Sequence, residues 1–508
     1  MKNEAISGET IIIPKAEYES MKQQITWLTD QLLLSKKRQY GPSSEKSEYD
    51  YTQLTLFNEA EVIAENNIPA SELVEIKKHY RSRTRLTKDK LPEELPVEEI
   101  RHELTESEQI CPDCGNALRV IGHDTREELV LIPATAKIRR HISTTYACRN
   151  CEVHSDHVPI VNSKIAQPVI KGSFASPEAV AYTAAQKFVM GIPLYRQEQE
   201  WSRSGIPLSR QTMSNWLLKA SHDWLEPIYN ELKQCLIKHD VLHADETTLQ
   251  VLNEPGKEAQ SKSYMWLYRT SGDTEHPIVL YEYQPGRKHE YPEAFLKDFK
   301  GYLHTDGYDG YHKLSENIII VGCWAHLRRK FDEALKIIPK KSRDGTDTLR
   351  GKRYCDRLFD LEHKFDGLPS KERFEKRQEI SRPVMEEFFS WVNSLGALSK
   401  TPLGIATNYA LSQQKYLERY LLDGRLEISN NRAERSVKPF VIGRKNWLFA
   451  NSVSGAKASS IIYSLIETAK ENQLVPFEYL TKIFRLAPNL TGSDSFINLL
   501  PWNLGSSA

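Results

Sequence analysis

The spacing of apolar side chains changes character along this chain, and each change marks a different kind of element. Tyr18, Met21, Ile25, Leu28 and Leu32 recur at alternating intervals of three and four, with Lys22, Gln23, Gln24 and Asp30 between them. This is the seam of an amphipathic helix, which either lies on the protein's own body or pairs with a second copy as a short coiled coil. After Gly41 and Pro42 the period disappears, and the polar stretch to about Glu108 reads as linker. Helical spacing returns between Ser176 and Trp224. There a helix over Tyr195–Trp201, a Gly205-Ile206-Pro207 turn and a second helix over Ser209–Lys219, with Ser209 as N-cap, read either as a helix-turn-helix or as an ordinary helical hairpin. Arg210, Gln211, Ser214 and Asn215 would form its outward, base-reading face, and Met213, Trp216 and Leu217 its buried face.

From Val241 the period shortens to that of strands. Val241–Leu252, Tyr264–Arg269, Pro277–Tyr283, Gly301–Thr305 and Asn317–Cys323 read as five strands, with a helix over Tyr291–Phe299 between the third and fourth. Consecutive strands suggest an antiparallel meander, and the helical crossover suggests parallel additions. This is the strand order of an RNase H-like core. A helix over Leu327–Ile338 follows, then a mostly helical stretch to about Leu422 and a last long helix over Ala456–Asn472. The fold class expected is therefore α/β and multidomain: a mixed-sheet, RNase H-like core with a helical insertion, preceded by a coiled-coil segment, a zinc-binding unit and a helix-turn-helix-like region.

Composition narrows the picture. The 508 residues carry 40% hydrophobic and 27% charged side chains and a formal net charge of zero, so no overall basic field draws the chain to nucleic acid. The charge is unevenly placed: Lys77, Lys78, Arg81, Arg83, Arg85, Lys88 and Lys90 face only Asp89. That run reads as an arm lying along phosphates or as a solvated linker. The longest apolar runs, Ile11–Ile13 and Ile318–Val321, are far short of the roughly 18 residues that span a bilayer. With Glu4 and Glu9 near the start and no signal-peptide pattern, a cytoplasmic, nucleoid-associated protein is expected.

In that compartment paired cysteines suggest metal rather than disulfides. Cys111-Pro112-Asp113-Cys114 and Cys148-Arg149-Asn150-Cys151 are two knuckles whose four thiolates suit a closed, tetrahedral structural zinc site. The 33 residues between them exceed the usual ribbon spacing; a hairpin of Glu128–Ile132 and Lys137–Tyr146 around Pro133 would fill it, with His154 and His157 as replacement ligands. Cys235, Cys323 and Cys355 are scattered and read as small buried hydrophobes.

Two acids sit at matching places in the strand pattern: Asp245 on the first strand and Asp306 at the end of the fourth. In a sheet of this order those strands are neighbours, so the carboxylates would face each other. Divalent cations relieve their repulsion and promote phosphoryl transfer. A third carboxylate from a later helix would complete the set. Glu434 is one candidate, although Asn431 and Glu434 also have the spacing of a capping box; Glu427 is the other.

Together these segments resemble the insertion sequence 66 family of transposases, TnpC type. The resemblance rests on Arg38-Gln39-Tyr40-Gly41-Pro42-Ser43-Ser44-Glu45-Lys46, the cysteine pairs, His243-Ala244-Asp245-Glu246-Thr247 and Thr305-Asp306-Gly307-Tyr308. It continues in Gly322-Cys323-Trp324-Ala325-His326-Leu327-Arg328-Arg329-Lys330-Phe331, Asn430-Asn431-Arg432-Ala433-Glu434-Arg435 and Gly443-Arg444-Lys445-Asn446-Trp447-Leu448-Phe449, and spans about residues 15–490. One position departs from it: Ser429 stands where the family usually has Asp. The resemblance implies a DDE triad of Asp245, Asp306 and Glu434 holding two Mg2+ (or Mn2+) ions, with an insertion between the second Asp and the Glu. His326, Arg328, Arg329 and Lys330, with Arg435, Lys438, Arg444 and Lys445, would line a DNA groove.

The domain plan expected is a helix or coiled coil at 15–40, linker and arm at 41–108, a zinc-binding domain at 109–160 and a helical DNA-binding region at 165–230. The core would occupy 235–335 and 423–490, interrupted by an insertion at 336–422 and followed by a tail at 491–508. Its partners would be the element's terminal inverted repeats, target DNA, further copies of the chain and accessory proteins of the same element. Two rivals to a strand-transferring enzyme are a repressor that binds the element without chemistry and an RNase H-like nuclease. Neutralising three of the arm residues Lys77, Lys78, Arg81, Arg83 and Arg85 should weaken DNA binding equally across sequences. It should also flatten the log–log salt slope by about 0.9 for each phosphate that the arm no longer neutralises; an unchanged slope in a binding titration would rule out the arm as a phosphate-binding segment.

Overall fold

The structure is a computed structural model that describes residues 135–147, 160–490 and 496–504. The heptad seam, the basic arm, the four paired cysteines, His154 and His157 lie outside the described residues. The chain divides into two units, Ser43–Ser163 and the remainder. In the first, β1 (Thr145–Ala147) pairs antiparallel with β2 (Ile160–Asn162), with Tyr146 opposite Val161. The Ser143 hydroxyl donates to the Ser163 carbonyl at 2.8 Å. The strand expected over Lys137–Tyr146 is thus regular only at its end. Its partner follows the second cysteine pair in the sequence.

The second unit opens with helices. α1 (Pro177–Phe188) starts at Ser176, whose hydroxyl accepts the Ala179 N–H. α2 (Leu194–Arg203) and α3 (Arg210–Ala220) are joined through Gly205 at φ +75, a left-handed position that favours glycine. Ser209 caps α3 as expected, accepting from the Thr212 N–H at 3.1 Å. The chain runs on through a π turn at Ser221–Leu225 into α4 (Glu226–Leu236), so the helical region is longer than its apolar period suggested.

The mixed sheet comes next: β3 (Val241–Asn253), β4 (Lys262–Thr270), β5 (Val279–Gln284), α5 (Glu290–Phe295), β6 (Gly301–His304) and β7 (Ile318–Val321). The spatial order is β5-β4-β3-β6-β7; β3, β4 and β5 are antiparallel, and β6 and β7 add in parallel. The crossover helix is shorter than expected because it ends at Leu296 and the chain then turns toward β6. Gly301 enters β6 at φ +147, where a Cβ would lie 2.2 Å from the Asp240 carbonyl oxygen. That same carbonyl accepts the Tyr302 N–H at 2.8 Å, so the close approach starts the β3–β6 pairing.

After β7 come α6 (Trp324–Ile337) and an insertion of α7 (Asp347–Lys364), α8 (Ser370–Lys376), α9 (Arg382–Ser394) and α10 (Pro402–Leu417). The chain returns through α11 (Asn431–Trp447), β8 (Ala450–Ser452), α12 (Val453–Glu471) and α13 (Pro476–Leu486). The insertion builds its own core with α6 around Trp324, Phe331, Phe388 and Trp391, apart from the core beneath the sheet. Among the described residues no helix is long and apolar enough to cross a membrane.

Edge strand β5 needs partners for its outward amides. α12 supplies them: Ser464 accepts the Tyr281 N–H at 2.7 Å, and Thr468, one turn on, accepts the Val279 N–H at 3.0 Å and donates to the Val279 carbonyl at 2.9 Å. Thr468→Val keeps the shape and strands a fully buried amide, so equilibrium denaturation should register a loss of about 1–3 kcal/mol. An unmoved midpoint would mean that the edge is satisfied some other way.

Candidate active site

Strand register sets the geometry of the site. β3 and β6 run parallel with Val241 opposite Tyr302 and His243 opposite His304. Two residues further on stand Asp245, still on β3, and Asp306, just past the end of β6, close enough that the Asp306 charge acts on Asp245. Behind them the His243 and His304 rings stack at 4.4 Å and are fully buried. Burial pulls the His243 imidazole down to about 3 and that of His304 well below its usual value, so both are neutral. Beyond this point β6 has ended, while β8 joins β3 only at Val251 and Asn253. The interval between them opens the edge of β3 at Asp245. The Asp245 Oδ1 accepts the Glu246 N–H at 2.8 Å, and the Asp306 Oδ1 accepts the Tyr308 N–H at 3.0 Å.

Glu434 arrives from α11. The capping box suggested by Asn431 and Glu434 does not form, because the helix begins at Asn431 and the N-cap position falls to Asn430, which makes no side-chain cap. The Asn430 amide is committed elsewhere. Its Nδ2 donates to the Ala244 carbonyl at 2.8 Å, its Oδ1 faces His243 Nδ1 at 3.0 Å, and its backbone N–H donates to Cys323 Sγ at 3.2 Å. A buried strand carbonyl and a buried imidazole hold this side chain in place of the helix end. The Glu434 carboxylate therefore projects from the first turn of α11, its Oε2 accepting from Arg329 Nη2 at 3.2 Å and its Oε1 standing 3.6 Å from His326 Nδ1.

The electrostatics couple the three acids. Burial, then the charges of Glu246 and Asp306, and further Glu434, hold the Asp245 carboxyl well above the usual range, against the Glu246 N–H that favours its ionised form. Glu246 is raised by burial and by Asp306, while the Tyr311 hydroxyl at 2.6 Å and Arg287 offset this. Arg287 Nε donates to Glu246 at 2.7 Å, and its guanidinium also lies 4.0 Å from Asp306.

Comparison with known proteins bears on this arrangement. Residues 172–458 match the family described as "Transposase IS66 family". The chain belongs to that family. Residues 108–152 match the zinc-finger binding domain of IS66 transposases, residues 27–100 a segment described as "Transposase C of IS166 homeodomain", and residues 464–502 the IS66 C-terminal element. The uncharacterised protein y4qI of Sinorhizobium fredii is 32% identical over 417 residues, covering 79% of this chain and 75% of its own. The uncharacterised protein y4jD of the same organism is 29% identical over 429 residues, covering 81% of each.

Within this IS66 chain, Glu427 stands apart from the cluster. It accepts from Arg432 Nε at 2.6 Å, gives its backbone N–H to His304 Nε2 at 3.3 Å, and lines a cleft with Arg373, Arg377 and Arg425. The basic residues divide as well. Arg328 turns to Asp356 of the insertion at 2.5 Å, and Lys330 lies over the Tyr409 ring at 4.8 Å. Arg444 donates to the hydroxyl of Thr248 at 3.0 Å. Arg435, Lys438 and Lys445 are exposed along α11, leading away from Glu434. On α3, Arg210 and Asn215 are exposed and Met213, Trp216 and Leu217 are buried, in keeping with the pattern of its sequence. Asn215 Oδ1 accepts from Gln211 at 3.0 Å, and Arg210 lies by Glu198 of α2.

Three neighbours of the carboxylates are not evident from the sequence pattern. Cys323 is buried, as expected, and its sulfur also accepts the Asn430 N–H. Arg287 had no signal. Tyr409 comes from α10, a hundred residues beyond Asp306, and its ring fits only because Gly307 has no Cβ, which would lie 2.8 Å from it. The raised Asp245 carboxyl has a cost in stability. An acid whose folded-state pKa is raised destabilises the fold as pH rises through that value. Asp245→Asn should therefore raise Tm by about 2 °C or more in chelator near neutral pH, with the gain shrinking as the pH is lowered; a lower Tm would show that the ionised carboxylate is favourably paired.

Proposed function

We propose that this IS66 transposase binds the terminal inverted repeats of a bacterial insertion sequence and catalyses DNA cleavage and strand transfer through Asp245, Asp306 and Glu434 on an RNase H-like core. The observation that carries the reading is the field at Asp245, whose carboxyl is raised first by burial and then by the charges of Glu246, Asp306 and Glu434. The donor set suits hard divalent cations. Carboxylate oxygens are their preferred ligands, and Glu434 Oε1 is buried without a hydrogen bond. Mg2+ or Mn2+ held there would supply a deprotonated attacking oxygen and neutralise charge at the phosphate.

The chain's own residues do the rest. Arg329 holds the Glu434 carboxylate, and Arg287 pairs with Glu246 beside Asp306, offsetting part of that fourth carboxylate's charge. Arg435, Lys438 and Lys445 offer a row of cations for DNA phosphates, with His326, Arg328 and Arg444 nearer the site. Arg210 and Asn215 on α3 read bases at the element's ends. Lys77, Lys78, Arg81, Arg83 and Arg85 add charge-based grip, and Cys111, Cys114, Cys148 and Cys151 hold a structural zinc that folds their unit. Further copies of the chain, and accessory proteins of the element, would complete the assembly that joins two ends to a target.

The test is incubation of purified protein with its element's ends and Mg2+, reading nicks with free 3′-hydroxyls and joined products. Asp245→Ala, Asp306→Ala and Glu434→Ala should each lower cleavage by roughly a thousandfold or more while end binding persists. Glu427→Ala should retain measurable activity. Normal cutting by Glu434→Ala together with loss in Glu427→Ala would reassign the third ligand.

A further inference from the structure

Beside the carboxylate cluster lies a second donor set of different chemistry. One ligand atom each from Cys323, His326 and Glu434 lies within 4.8 Å of the other two. Cys323 and His326 sit three residues apart at the start of α6, which puts both side chains on one side of its first turn. His326 Nδ1 and Glu434 Oε1 are buried, face each other at 3.6 Å and have no hydrogen-bond partner. That separation is too long for a hydrogen bond, and two stranded polar atoms around a thiol call for a bridging species.

We propose that Cys323, His326 and Glu434 bind a zinc-like ion, and that its occupancy withdraws Glu434 from Asp245 and Asp306. Sulfur, nitrogen and oxygen donors with a fourth position open are the composition of an open zinc site. A thiolate selects against Mg2+, which prefers oxygen ligands, so the two ion classes would compete for the same oxygen, Glu434 Oε1. The backbone N–H of Asn430 on Cys323 Sγ is the kind of outer hydrogen bond that steadies a metal-bound thiolate. Binding is a simple exchange: the thiol proton leaves to solvent as the sulfur–metal bond forms, with no change of oxidation state. The regulatory half of the proposal rests on the triad reading above, whereas the site itself rests on geometry alone.

The experiment uses the full chain with zinc already bound at its paired cysteines. Added Co2+ should produce a new thiolate-to-cobalt charge-transfer band in wild type and in Asp245→Ala. Cys323→Ser, which keeps an acceptor for the Asn430 N–H, should lose the band, and His326→Gln should lower cobalt affinity roughly tenfold or more. In the cleavage assay with Mg2+, low zinc should inhibit wild type and spare Cys323→Ser. No band in wild type, or the same band in Cys323→Ser, overturns the site. A Cys323-dependent band without zinc inhibition overturns the withdrawal of Glu434. Normal cleavage by Asp245→Ala would instead sink the triad reading, and the band would still decide the site.

Discussion

Asn430 is the joint on which the site depends. A single residue, 1% exposed, ties β3 through the Ala244 carbonyl and His243, the start of α11 through its own backbone, and the start of α6 through Cys323. Each of these partners is buried, and leaving one unsatisfied costs on the order of 1–3 kcal/mol. The joint also sets where Glu434 stands, because the Glu434 N–H returns to the Asn430 carbonyl one turn below at 3.2 Å. Strand β3, helix α6 and the returning helix α11 therefore converge through hydrogen bonds that offer no cheap alternative arrangement.

What this geometry assembles is electrostatically costly. Asp245 and Glu246 of β3 feel the charge of Asp306, and Asp245 also that of Glu434 on α11, in surroundings where burial sharpens the repulsion. Two guanidinium groups offset part of it, Arg287 at Glu246 and Arg329 at Glu434. Neither relieves Asp245, which burial first and the neighbouring charges second hold well above the usual carboxylate range. The fold itself brings these like charges together, and the surrounding packing sustains them. The stacked, neutral histidines beneath the two aspartates contribute bulk and hydrogen bonds without adding charge.

The insertion is more than an appendage to the sheet. Its aromatic core includes Val241, Val321 and Trp324 from the sheet and α6, and the Trp324 Nε1–H donates to the Leu417 carbonyl at 2.9 Å. Tyr409 of α10 reaches the Asp306–Gly307 turn, while Arg328 is held by Asp356 of α7. Insertion and site are thus coupled through packed side chains, and a disturbance in α10 has a direct route to the second aspartate.

Local physics makes a good deal of this legible. Period-two runs mark the five strands, their succession implies the order in which β3 neighbours β6, and that adjacency pairs Asp245 with Asp306. Ser209 announces its helix because a cap joins residues only three apart. Other features lie beyond such rules. Whether Glu434 serves a cap or a cluster turns on Asn430, whose amide is claimed by Ala244, 186 residues away in the chain. The short β8, the His243–His304 stack, the Arg328–Asp356 pair and the placement of Tyr409 all join residues distant in sequence. Spacing reports which face of an element a residue occupies, and so the sequence alone determined the strands, the helices and the paired aspartates. Which face meets which neighbour depends on packing across the whole chain, and only the tertiary structure decided what Glu434, Cys323 and Arg287 touch.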